Sequence, residues 1–222
     1  MGGLIPLGDA SRPARRATAI TLLIIVANAL VFFLELGGGD DFVRQWSVIP
    51  VHILYGRGLI TLLTSMFIHG GWMHILGNMI YLWAFGPPIE QAMGSPKFLF
   101  FYLSGGLVAM AAQVAADPFS QIPVLGASGA IAAVMGAFIV TYPRDRIRTL
   151  LFFLIFFRVT YIPAALLIGF WFLMQVFNVG SVAAVRTGGV AYLAHIAGFL
   201  FGVITARFFR KPYLPSYSNR QG

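Results

Sequence analysis

PFSQIPVLGASGAIAAVMGAFIVTYP, residues 118–143, runs for 26 residues without a charged side chain, between Asp117 and Arg144. A charge at the bilayer centre costs several kcal/mol, and about 20 apolar residues cross the hydrocarbon layer, so the stretch reads as a membrane span. Four other charge-free runs have similar lengths: 18 residues from Arg16 to Glu35, 19 from Lys97 to Asp117, 27 from Arg158 to Arg186 and 20 from Arg186 to Arg207. The 32 residues between Arg57 and Glu90 are too many for one helix, and the glycines of IHGGW break them near residue 70. Six spans result, the second over about 70–86 by the same glycine signal. The fold class expected is an all-α membrane protein.

Composition agrees. Of 222 residues 59% are hydrophobic and 10% charged, far from the balance of a soluble domain. The absence of cysteine removes disulfides, thiolate nucleophiles and Cys-based metal sites. The net charge of +8 would suit nucleic acid in a soluble protein, but here the basic residues fall in short loops beside apolar runs, so no nucleic-acid partner is expected. Arg12, Arg15, Arg16, Lys97, Arg144, Arg146, Arg148, Arg207, Arg210, Lys211 and Arg220 share one side, whereas only Arg44, Arg57 and Arg186 fall on the other. This asymmetry predicts both termini in the cytoplasm. Residues 1–16 are expected as an N-terminal tail, 17–209 as one transmembrane domain and 210–222 as a C-terminal tail. TLLFFLIFF, residues 149–157, is too short to cross and reads as an interfacial or loop-embedded segment. Residues 42–58, with Trp, Tyr, His and two Arg, read as an interfacial hairpin of short helices.

Polar side chains inside spans are functional candidates by default. Asn28, Gln113, Gln175 and Asn178 stand apart from any cluster and read as interhelical hydrogen-bonding groups. His69 lies at a helix mouth and reads as structural. His74 and Asn78 are four residues apart, hence on one helix face. On the fourth span Ser128, Ala132 and Gly136 form a face of small residues, and on the sixth His195, Gly198 and Gly202 form another. Small residues let helices approach closely in lipid, so these two faces can pack and bring Ser128 toward His195. With the termini inside, Ser128, His195, His74 and Asn78 all fall in the outer half of the membrane. A serine with an imidazole at hand can attack a carbonyl, and Asn78, His74 and the backbone N–H groups at a helix start can stabilise the oxyanion. All seven carboxylates lie at span ends or in tails, so the expected unit is a Ser–His dyad. HExxH is absent, no Asp lies within a span, and neither a metal nor a cofactor is expected.

HGGWMHILGNMIYLWAFG, GASGAIAAVMGAF and AHIAGFLFG, in that order, resemble the three signature segments of the rhomboid intramembrane serine proteases, and the similarity covers nearly all of residues 17–209. The resemblance implies a six-helix bundle with a membrane-embedded first loop at residues 42–58. It implies Ser128 as nucleophile, His195 as general base and acid, and His74 and Asn78 as oxyanion-stabilising groups, joined by the backbone N–H of Ser128. It further implies transmembrane proteins as substrates, lipids as surroundings, a bacterial inner membrane as location, GPPIEQAMG with Glu90 and Gly94 as a turn after the second helix, and the fifth helix as a lateral gate. A proteolytically silent relative that binds membrane clients is the alternative, and such relatives usually lack the Ser or His. Two positions depart from the pattern: Ile60-Thr61 stands where a Trp-Arg pair is often found, and Ala132 where some members carry an aromatic that stacks on the catalytic histidine.

Overall fold

The computed structural model describes residues 2–11, 18–153, 155–182 and 191–210. Arg12, Arg15, Arg16, Arg186, Lys211 and Arg220, which carry part of the charge asymmetry, lie outside the described residues, as does nearly all of the C-terminal tail. The chain opens with strand β1 (Gly2–Asp9), followed by helix α1 (Ala19–Trp46), the short helices α2 (Pro50–Leu54) and α3 (Thr61–Thr64), and a 3-10 turn over Ser65–Phe67. Helices α4 (Trp72–Met93), α5 (Ser95–Ala116) and α6 (Ser128–Thr141) follow, then strands β2 (Arg146–Phe153) and β3 (Phe156–Pro163), and helices α7 (Ala164–Val182) and α8 (Tyr192–Phe209). Six helices of fourteen residues or more therefore occupy the six expected spans. Helices α1, α5 and α8 are long and apolar enough to cross a membrane by length and composition.

Helix α6 is the axis of the bundle. Gly129 through Phe138 are all buried, and α4, α5 and α8 pack around them. The sequence explains this. GAIAAVMGA offers almost no side chain beyond Cβ, so neighbours approach its backbone from several sides. Its fourteen residues cover about 21 Å, short of the roughly 30 Å hydrocarbon layer, which draws its first residue, Ser128, below the membrane surface. The outer faces of α1, α5, α7 and α8 carry exposed Leu, Phe and Val side chains, as lipid requires.

Two boundaries differ from the sequence expectation. Helix α1 runs on past Glu35 to Trp46, kinking at Gly39, whose φ of 62° only glycine adopts readily. Glu35 is thus inside the helix and buried, and its Oε2 accepts a hydrogen bond from the backbone N–H of His69 at 2.8 Å. Helix α4 likewise continues through Pro87 and Pro88 to Met93, so the expected turn contracts to Gly94, at φ 87°. Glu90, within α4, caps another helix: its carboxylate accepts from the N–H groups of Ile20 (3.0 Å) and Thr21 (2.8 Å), from Thr21 Oγ1 (2.7 Å) and from Ser95 Oγ (2.7 Å). An anion at the positive N-terminus of α1 is where electrostatics favours it.

The bundle also holds a three-stranded antiparallel sheet in the order β1-β2-β3. TLLFFLIFF is the heart of its hairpin, with Arg146 opposite Pro163 and Phe153 opposite Phe156. Nine residues cannot cross a bilayer as a helix, and this aromatic and β-branched stretch pairs with itself instead. β1, from the segment read as tail, pairs with β2 from Gly2 opposite Phe153 to Asp9 opposite Ile147. No alternation marks GGLIPLGD as a strand, which is why it was illegible alone.

Candidate active site

Ser128 is the first residue of α6, so the N–H groups that open this helix have no intrahelical acceptor; the first such bond is Ile131 N–H to Ala127 O, at 3.0 Å. The chain reaches Ser128 through Gly126, whose φ of 120° suits glycine and whose N–H donates to Ser65 O at 2.8 Å. The first loop braces the same approach by a pair of hydrogen bonds between Val48 and Val124 (3.0 and 2.7 Å).

His195 arrives from α8. Gly198 lies against the carbonyl oxygen of Gly129, Gly202 against that of Ala133, and Gly136 against that of Phe199, so no Cβ fits at any of the three. The two small-residue faces expected from sequence meet at backbone contact. That proximity sets His195 Nε2 at 2.7 Å from Ser128 Oγ, the length of a good hydrogen bond. In such a pair the imidazole can take the hydroxyl proton as the oxygen attacks an electrophile.

Helix α4 supplies the remaining expected residues. A Cβ at Gly126 would stand 2.9 Å from His74 Nε2 and 3.6 Å from Ser128 Oγ, so imidazole and hydroxyl flank the same bare glycine. His74 Nδ1 accepts from Gly70 N–H at 3.3 Å, which leaves Nε2 as its free ring nitrogen toward the site. Asn78, one turn along, is buried and its Nδ2 has no hydrogen-bond partner. A buried donor without an acceptor is costly in a folded protein and commonly marks a place where a ligand atom completes the bond. His69 stacks edge-on against His74 with ring centroids 5.2 Å apart.

Two neighbours of His195 were not expected. Gln175 Oε1, on α7, is 2.8 Å from His195 Nδ1, although the sequence placed Gln175 among the packing groups. Trp171, one turn earlier on α7, sets its ring 5.8 Å from the imidazole. Ala132 leaves room there, so the aromatic neighbour comes from α7 rather than α6. The available signal was a polar residue four positions after a Trp on an otherwise apolar span. Gln113 does join helices, accepting from Ala194 N–H at 3.3 Å, whereas Asn28 bonds back to Ile24 O of its own helix at 2.7 Å.

Comparison with known proteins bears on this geometry. Residues 56–212 match the family described as Rhomboid domain. The chain belongs to the rhomboid family. Among its relatives this rhomboid is 35% identical to "Rhomboid protease GluP" of Bacillus subtilis (strain 168) over 121 residues, covering 53% of the chain and 23% of the relative. It is 28% identical to "Rhomboid protein 1, mitochondrial" of Saccharomyces cerevisiae over 178 residues, covering 76% and 48%. It is 30% identical to "Presenilin-associated rhomboid-like protein, mitochondrial" of Homo sapiens over 197 residues, covering 81% and 45%. The rhomboid chain thus spans between about a quarter and a half of the length of these relatives.

Proposed function

We propose that this rhomboid is an intramembrane serine endopeptidase that hydrolyses peptide bonds of transmembrane proteins. The observation that carries the reading is the 2.7 Å contact between Ser128 Oγ and His195 Nε2, held at membrane depth by backbone contact of α6 with α8. Ser128 Oγ attacks the scissile carbonyl while His195 Nε2 takes its proton, and the carbonyl oxygen becomes an oxyanion. Asn78 Nδ2, the ring of His74 and the N–H of Ser128 are the donors for that charge, and the lack of any present partner for Asn78 Nδ2 supports its part. His195 then returns the proton to the leaving amine, and a water hydrolyses the acyl-enzyme by the same exchange. A helical peptide bond must unwind to reach Ser128, so substrates with helix-breaking residues near the cleavage site are favoured. The asymmetry of basic residues supports a site near the outer face with both termini in the cytoplasm.

The test is cleavage of a reporter transmembrane protein in liposomes by wild type, Ser128→Ala and His195→Ala. Wild-type cleavage abolished in both variants is expected. Equal cleavage by Ser128→Ala would sink the reading, and intact substrate with wild type would favour a client-binding protein without proteolysis.

A further inference from the structure

The ring of His195 is held from α7. Gln175 Nε2 donates to the Trp171 carbonyl, one turn back, at 3.1 Å. That bond fixes the amide's direction, because turning it over would set Oε1 against the Trp171 oxygen, acceptor facing acceptor. Gln175 Oε1 therefore faces His195 Nδ1 at 2.8 Å. An amide oxygen only accepts, so Nδ1 carries the proton and the lone pair of Nε2 points to the Ser128 hydroxyl. The opposite tautomer would present an N–H to Ser128 and could not take its proton.

We propose that Gln175 is a positioning residue for His195: it selects the tautomer in which Nε2 accepts the Ser128 proton, and with Trp171 it makes α7 the element that readies the base. The proposal rests on the protease reading above. It supplies the orienting partner that the seven carboxylates, none of which reaches His195 among the described hydrogen bonds, leave wanting. The Trp171 ring, tilted 36° to the imidazole, restricts the ring from a second direction. Because α7 shows Leu166, Phe170, Leu173 and Phe177 outward and meets α8 through the stacked pair Phe172 and Phe199, it is a peripheral helix. Any outward displacement of α7 withdraws the acceptor from Nδ1, so admission of a substrate past α7 and readiness of the base are coupled.

A group that only joined α7 to α8 would stabilise the fold without steering a proton, and the two roles separate in one experiment. Steady-state cleavage of the liposome reporter and the rate of Ser128 labelling by a fluorophosphonate are measured for wild type, Gln175→Leu and Gln175→Glu, with Ser128→Ala as the blank and thermal unfolding beside each. Leu keeps the volume and removes the acceptor; Glu restores an acceptor. The expected result is a kcat and labelling rate lower by at least about tenfold in Gln175→Leu, with KM and unfolding midpoint unchanged, and substantial recovery in Gln175→Glu. Wild-type rates in Gln175→Leu would overturn the proposal, as would equal losses in Leu and Glu variants that track a fall in the unfolding midpoint. A wild type that neither cleaves nor labels removes the protease reading itself, a result distinct from either.

Discussion

Replacing Gly198 by alanine tests whether backbone contact between α6 and α8 sets the reacting distance. The added methyl would meet the Gly129 carbonyl oxygen, with the Cβ of Ala109 at 3.5 Å as the next obstacle. The oxygen is main chain of a helix buried on every side, so it has no rotamer in which to step away. Restoring an ordinary carbon–oxygen separation requires the helices to part by about 1 Å. Gly198 is one turn from His195, so most of that shift reaches the Ser128–His195 pair and takes it from 2.7 Å to near the limit of a hydrogen bond. Misplacement on this scale costs about 100-fold in rate, and overpacking costs about 1–3 kcal/mol of stability. The assay is fluorophosphonate labelling of Ser128 against time in folded protein, alongside thermal unfolding. Gly77→Ala in α4, where a Cβ meets nothing within 4 Å, is the control expected to match wild type. If Gly198→Ala labels as fast as Gly77→Ala, the distance does not depend on this contact and the reasoning fails.

Asn78→Leu is expected to lower kcat by about 100-fold through loss of an oxyanion donor, yet to leave the unfolding midpoint equal or higher, since it removes a buried amide without a partner; reporter cleavage and calorimetry read the two effects separately. Glu90→Ala should destabilise by about 3 kcal/mol, because four donors at the start of α1 and α5 lose a charged acceptor, and Glu90→Gln should lose less; denaturation in detergent measures both.

The bundle and most of the site were legible because their causes are local and repetitive. Charges cannot sit in hydrocarbon, so they mark out the spans. Small residues at helical spacing mark the faces of α6 and α8 that meet, and with them Ser128 and His195. His74 and Asn78 were legible as a pair one turn apart. Gln175 was not, since a glutamine on an apolar helix gives no sign of which neighbour its amide faces. That depends on the rotation of α7 about its own axis, a tertiary quantity. Glu35 and Glu90 were read as span-end charges for a related reason: each is tolerated inside a helix because a distant backbone N–H meets it, His69 for one and the start of α1 for the other. The sheet escaped because β1 acquires its strand character only from β2, more than 130 residues away.

That pairing has a bearing on how the protein enters its membrane. β1 and β2 lie in one sheet, so Asp9 and Ile147 are on the same side of the bilayer, and the chain between them must traverse it an even number of times. Helices α1, α4, α5 and α6 make four passages. The sheet is therefore a parity check on insertion: a chain that left one of these helices uninserted would strand β1 across the membrane from its partner. The N-terminal eight-residue strand, first to be synthesised, is settled only after the hairpin at residues 146–163 has been made.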